Sequence, residues 1–178
     1  ASLADFERAG HIEHQRLPGG EEGIRHPARM AFSYLIATFG NEAESIAARL
    51  LPELHEGQLR LLGQMVRRGI RSPVTSSAGR LFDAVSALLG ICGTISYEGQ
   101  AAIRLQTAAE GTVGEAYPFE LIPTNGPFVL SFKPMIREIV REIDEGVIRK
   151  LIAAGFHETM ARAVVAGCGR LREQTGLA

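Results

Sequence analysis

Apolar side chains recur every three or four positions along most of this chain, the spacing that aligns them on one face of an α-helix. The pattern predicts helices at 27–39, 41–51, 58–68, 75–89, 98–109 and from 134 to about 143. The remainder is divided into two further helices by Gly146, Gly155 and Gly176. Pro27 suits the first turn of the first helix, and Asn41 is a candidate cap for the second.

β-structure is predicted in only a small part of the chain. The apolar runs FELIP and PFVLSF flank Thr124-Asn125-Gly126, and Asn-Gly between two such runs indicates a β-hairpin. The segment HIEHQRL near the start is a candidate short strand. We therefore expect an α/β fold, mostly helical, with one short hairpin, and a single unit over residues 1–178.

The predicted helix at 75–89 has two unlike faces. One face carries an apolar stripe: Leu81, Val85, Leu88 and Cys92. The opposite face carries small and polar residues: Ser76, Arg80, Asp83 and Ala87. The Asp83 carboxylate can accept hydrogen bonds from a ribose or another diol. The alternative is a surface ion pair between Arg80 and Asp83, contributing about 0.3 kcal/mol, and the spacing alone favours that pair.

Two further groups near this helix are candidates for ligand contacts. Ser76 lies in the predicted first turn, where free backbone N–H groups attract anions. Glu98, Gly99 and Gln100 follow a turn after the helix. Gly99 permits either a positive φ or a close backbone approach. Glu98 could cap the following helix or hold a ligand hydroxyl, and the spacing does not choose between them.

Composition and charge exclude several classes of function. The formal net charge of -1 gives no electrostatic basis for binding nucleic acid or an acidic membrane, and no apolar run is long enough to span a membrane. Cys92 and Cys168 are predicted to be buried thiols of a reducing, cytoplasmic compartment. His11 and His14 lack a third ligand at metal-binding spacing. No catalytic constellation and no metal site are predicted.

The segment TSSAGRLFDAVSALLGI, followed by ISYEGQAA, resembles the C-terminal transferase domain of the HypF carbamoyltransferases, the hydrogenase maturation proteins. RLPGGEEGIRHPARMAFSYL, YPFEL and GFHETMARAVVAGCGRLREQTGL support the resemblance in the order of the family. It implies part of an ASKHA (actin- and sugar-kinase-like) fold. It also implies use of carbamoyl phosphate and ATP, through carbamoyl-adenylate, to carbamoylate the C-terminal cysteine of the partner protein HypE.

The resemblance further implies which residues contact the nucleotide. In related enzymes the matching positions approach the ribose, which here assigns Asp83, Glu98, Gly99 and Gln100 to the nucleotide. The metal and zinc ligands and the adenylate-forming domain of the family have no counterpart in this sequence. We therefore expect an internal piece of a larger enzyme that is inactive alone. An O-carbamoyltransferase of secondary metabolism and a non-catalytic helical interaction module remain the alternatives.

Overall fold

The computed structural model describes residues 7–176, and most of them are helical. The helices are α1 (Glu21–Arg25), α2 (Pro27–Phe39), α3 (Ala43–Leu50), α4 (Glu56–Arg68), α5 (Ala78–Leu88), α6 (Gln100–Ala109), α7 (Lys133–Asp144) and α8 (Arg149–Thr175). The strands are β1 (Gly10–Ile12), β2 (Gln15–Arg16), β3 (Val74–Thr75), β4 (Glu120–Ile122) and β5 (Phe128–Ser131). The helical majority is as predicted, and the two ends of the predicted 1–178 unit lie outside the described residues.

β5 is the central strand of a three-stranded mixed sheet. It pairs antiparallel with β4, which confirms the predicted hairpin, and parallel with β1. In the hairpin turn, the Thr124 hydroxyl accepts from Gly126 N–H at 3.0 Å and donates to Pro127 O at 2.9 Å. The predicted strand within HIEHQRL is divided in two, because β1 joins this sheet and β2 pairs instead with β3.

α5 lies between two helices, α2 and α6. It packs against α2 on one side and α6 on the other, and residues 83 to 89 are all buried. Small side chains such as Ala84 and Ala87 let both neighbours approach closely. The face predicted to be small and polar is therefore covered by protein.

Several helix starts differ from the sequence prediction by one to three residues, and those of α3 and α4 have local causes. Asn41 does not cap α3; it lies in a short 3₁₀ helix, Gly40–Glu42, that joins α2 to α3. α4 begins at Glu56 because His55 forms a capping box with Gln58. The His55 ring accepts from Gln58 N–H at 3.3 Å, and the Gln58 side chain accepts from His55 N–H at 3.2 Å.

The division of the last segment into two helices at Gly155 is wrong, because α8 runs through Gly155 without a break. This glycine allows residues 114–117 to cross the helix in contact with its backbone. A Cβ atom at Gly155 would lie 2.6 Å from Glu115 O and 2.9 Å from the Tyr117 ring. Thr159 secures the crossing, since its hydroxyl accepts from Tyr117 N–H at 2.7 Å and donates to Gly155 O at 2.7 Å.

The two cysteines have different environments. Cys92 is buried as predicted, but Cys168 is exposed, which corrects the prediction of two buried thiols. Cys168 lies on an exposed side of α8, at the edge of a cavity that it lines together with Gly126 and Pro127. Of the helices described, none combines the length and the apolar character needed to cross a membrane.

Candidate functional site

Ser76 lies outside helix α5. It follows β3 and is half-buried, and the helix begins at Ala78 with Ser77 as its N-cap residue. The Ser77 side chain makes no capping hydrogen bond, and its backbone N–H donates to the Thr75 hydroxyl at 3.2 Å. The prediction that Ser76 sits in the first helical turn is therefore wrong; its contact with a ligand stays a prediction.

Asp83 projects from α5 into the interior of the protein, with only 3% of its surface exposed. Its carboxylate Oδ2 lies 3.0 Å from Nη2 of Arg80. The ion pair that the sequence offered as an alternative thus exists, but it is buried. A buried pair loses the hydration of both ions, so it is poor evidence of a stabilising role.

Hydrogen bonding around the Arg80–Asp83 pair is incomplete. Oδ2 of Asp83 lies 3.0 Å from Nη2 of Arg80 without the geometry of a hydrogen bond, and Nη1 of Arg80 has no hydrogen-bond partner among the described residues. The hydroxyl of Ser86, one helical turn further on, has none there either. Burial raises the pKa of the Asp83 carboxyl to about 6, and the charge of Arg80 opposes that rise. Unsatisfied buried acceptors are rare in folded proteins, and a ligand that brings hydroxyl donors fits this one.

The turn after α5 presents Glu98 at the surface. Gly99 has φ +79°, and a Cβ atom built on it meets nothing within 4 Å. The sequence offered two reasons for a glycine at this position, a positive φ and a close backbone contact. Within the chain, the structure supports the positive φ. Gly99 is the N-cap residue of α6 and no side chain caps this helix, so the described structure does not use Glu98 as a cap.

Gln100 is buried and hydrogen-bonded within the protein. Its Oε1 accepts from Ser96 N–H at 2.7 Å and from the Ser96 hydroxyl at 3.2 Å. Its surface is only 7% exposed. The side chain assigned to the nucleotide by resemblance is thus engaged with the turn itself.

The same turn is tied to the segment before α2. Ile95 N–H donates to Arg25 O at 2.9 Å, and the Thr94 hydroxyl lies 3.4 Å from Nδ1 of His26. These contacts join two of the sequence blocks that carry the family resemblance, one around residues 16–35 and the other around 75–102. Helical spacing does not predict this contact, and the signal that could have indicated it is the occurrence of both blocks in one family.

α5 and α6 pack together and bring Asp83 and the turn into one packed unit. The Ser86 carbonyl accepts from Ile91 N–H at 2.9 Å, so the chain turns back close to the end of α5. Asp83 lies inside and Glu98 outside, and among the described residues no hydrogen bond or ion pair links the two.

Two cavities of about 970 and 950 Å³ lie elsewhere. The first, between α6 and α8, is lined in part by Phe82 and His157. Burial lowers the pKa of His157, opposed by a hydrogen bond to the Leu105 backbone. Neither cavity is lined by a predicted site residue. In the described part of the chain, no group of three or more His, Cys, Asp or Glu residues could hold a metal ion.

The sequence matches a family model described as a carbamoyltransferase Kae1-like domain, second subdomain, over residues 1–178. It is 40% identical to the probable carbamoyltransferase HypF of Methanocaldococcus jannaschii over 110 residues, covering 62% of this chain and 14% of the relative. It is 30% identical to carbamoyltransferase HypF of Synechocystis over 177 residues, covering 90% of this chain and 22% of the relative.

The fold is similar to a crystal structure of full-length HypF in the phosphate- and nucleotide-bound form. The TM-score is 0.86 at 28% sequence identity, over 97% of this chain and 26% of that one. The chain therefore spans between 14% and 26% of the length of these three proteins.

Proposed function

Because the chain belongs to the HypF carbamoyltransferase family, in which it matches the second subdomain of the Kae1-like domain, we propose that it forms one wall of a nucleotide site. The parent enzyme would use carbamoyl phosphate and ATP, through carbamoyl-adenylate, to carbamoylate the C-terminal cysteine of HypE in hydrogenase maturation. The solved relative that holds phosphate and nucleotide supports this proposal. An ASKHA-type domain, completed by other parts of the parent, belongs to the same proposal.

The observation that carries the nucleotide role is the buried Asp83 carboxylate, whose Oδ2 forms an ion pair with Arg80 but no hydrogen bond in the described structure. A ribose offers two adjacent hydroxyl donors, which suit the two oxygens of one carboxylate. Arg80 keeps a positive charge beside Asp83 and favours the ionised form that accepts both donors. In this role Asp83 holds and orients the nucleotide.

Glu98 is the second residue proposed to contact the nucleotide. It lies on a surface turn, held beside the positive-φ Gly99, and its carboxylate is free to accept from a second hydroxyl or from the base. Ser76, next to the start of α5, is proposed to face the anionic part of the ligand.

The chemistry of the transfer is proposed to lie in other parts of the parent enzyme. Metal and zinc ligands, the adenylate-forming site and the HypE contact are assigned there by family resemblance. A cytoplasmic location follows from the same proposal. The isolated chain is expected to bind nucleotide weakly and to transfer no carbamoyl group.

The decisive experiment measures ADP affinity of the full-length parent enzyme by calorimetry. Asp83→Asn removes the charge and keeps the shape, and we expect it to weaken ADP binding about tenfold or more, as for a lost charged hydrogen bond. Asp144→Asn is the matched control, since Asp144 forms an exposed pair with Arg49 on α3. Equal ADP affinity of the Asp83 variant and wild type would reduce Asp83 to a structural residue.

The second readout is carbamoyl transfer to a HypE C-terminal peptide. The parent enzyme should carry out the reaction with ATP and carbamoyl phosphate, and the isolated 178-residue chain should not. Transfer by the isolated chain would contradict the proposed division of the chemistry between subdomains.

A further inference from the structure

The amide oxygen of Gln100 is fully occupied by protein donors. Ser96 N–H can only donate, so the group 2.7 Å from it must be the oxygen and not the nitrogen of the amide. The Ser96 hydroxyl lies 3.2 Å from the same oxygen. Two donors fill the two lone pairs of this carbonyl, and none is left to accept from a ligand.

These two bonds close the loop that carries Glu98. The loop has little else to define its shape: the backbone bond from Gln100 N–H to Tyr97 O is long, at 3.4 Å, and Gly99 has no neighbour at its Cβ position. A glycine in such a loop increases the number of conformations that the chain can adopt. The Gln100 side chain is therefore the main restraint on the loop backbone that carries Glu98.

The other side of the loop is fixed to the protein body. Ile95 is bonded to Arg25 O, and the buried Cys92 thiol donates to Thr94 O at 3.3 Å. Residues 92–95 are thus held to the protein body, and residues 97–99 extend beyond them as a short loop. The Gln100 side chain connects the end of this loop back to Ser96, at its beginning.

We propose that Gln100 is a positioning residue, which acts on the nucleotide through the Glu98 carboxylate and does not contact the nucleotide itself. This inference rests on the proposed nucleotide site. It assigns to Gln100 a different role from the direct contact that the sequence resemblance implied.

The test compares substitutions at Gln100 in the full-length parent enzyme, with ADP affinity as the measured quantity. Gln100→Met keeps the size of the side chain and removes the acceptor, and we expect about a fivefold loss of affinity, as for one hydrogen bond. Gln100→Glu keeps an acceptor oxygen and removes the amide nitrogen, so it should bind within about twofold of wild type. A Glu variant as weak as the Met variant would overturn the inference, because restoring an acceptor for the Ser96 donors would then not restore binding.

A double-mutant cycle separates positioning from general destabilisation. If Gln100 acts through Glu98, then Gln100→Met should have no effect on ADP affinity in a Glu98→Ala background. Additive losses would overturn the inference. Should neither Glu98→Ala nor Asp83→Asn change the affinity of the wild-type enzyme, the proposed nucleotide site itself fails. That result differs from the case in which only Gln100 is misassigned.

Discussion

Asp83 should make the stability of the protein fall and its ligand affinity increase as the pH rises. Replacing Asp83 by Asn should remove both pH dependences. The folded protein holds Asp83 at a pKa of about 6, compared with the ordinary value of 3.8. The folded state therefore binds more protons than the unfolded state between these values. Stability from this group is fully present below pH 3.8 and is lost as the pH rises through about 6.

The size of the effect follows from the two pKa values. Their difference corresponds to about 3 kcal/mol at most. We expect about 2 kcal/mol, because the rise comes from burial, and structural relaxation and water penetration reduce the cost of charging a buried carboxylate. The substituted asparagine does not titrate, so the free energy of unfolding of the variant relative to wild type should rise by this amount between about pH 4 and pH 7.5. The changed contact with Arg80 also alters the stability of the variant by an amount that is the same at every pH. This constant does not affect the test, because the test uses only the slope of the stability difference against pH.

Urea unfolding of the chain at several pH values measures this slope. Glu98→Gln is the matched control, because it makes the same acid-to-amide change at an exposed position. Glu13 is present in all three proteins, so its contribution cancels in the difference. Parallel profiles for wild type and the Asp83 variant would refute a raised pKa at this position.

Ligand binding should respond to pH with the opposite sign. An ionised carboxylate accepts two hydroxyl donors, so adenosine affinity of the parent enzyme should increase as the pH rises through about 6. Affinity at about pH 5 should be about tenfold lower than at about pH 7.5, the ratio given by the fraction ionised. Adenosine is the suitable probe because it has the ribose and lacks a titrating phosphate. A flat adenosine profile would separate Asp83 from ribose binding.

Three other measurements check the structure independently of function. Gly155→Ala should destabilise the fold by about 1–3 kcal/mol, because the added methyl group would overlap the crossing backbone. Gly169→Ala, in open space on the same helix, should be neutral or stabilise the fold by up to about 1 kcal/mol. Equal thermal-unfolding midpoints for the two variants would contradict the crossing. Burial acts to raise the pKa of Glu13, but the hydrogen bonds from Lys133 and Ser131 lower it overall. Stability from Glu13 is thus present above its ordinary pKa of 4.5 and lost as the pH falls through the lower folded value, and Glu13→Gln should abolish that acid dependence in urea titrations. A chromogenic disulfide reagent should label Cys168 in the native protein and Cys92 only after unfolding; two fast-reacting native thiols would be inconsistent with the buried position of Cys92.

Periodicity predicted most helices because their apolar faces are local features of the sequence. It failed at Gly155, where the glycine is needed for contact with a segment about 40 residues earlier in the chain. A glycine that ends a helix and one that admits a neighbouring backbone look the same in one sequence. The sequence likewise predicted the β4–β5 hairpin from its turn, but not the pairing of β1 with β5, since nothing local specifies a distant partner.

The sequence supplied the residue types of the candidate site, but it did not predict the burial of Asp83 or the hydrogen bonding of Gln100. The spacing placed Asp83 opposite the apolar stripe of α5, which suggested a solvent-facing carboxylate. Small residues around it instead allow α2 and α6 to cover both sides of the helix. Helical spacing shows which residues share a face, but it does not show how many neighbours a helix has. The hydrogen bond between Ser96 and Gln100 could not be predicted either, because it depends on the shape of the turn.

The parallel pairing of β1 with β5 sets the order in which the molecule assembles. Gly10 pairs with Phe128, about 120 residues later, and closing a loop of that length costs about 4 kcal/mol in chain entropy. The helices between them form through much shorter contacts, so we expect β1 to dock after them, as the slow step of folding. Pulse-labelling hydrogen exchange would show late protection at Glu13, whose N–H donates to Leu130 O at 2.8 Å, and early protection there would contradict this order. The segment that joins last is also the first to detach in partial unfolding, which makes β1 the weak point of the native state under stress.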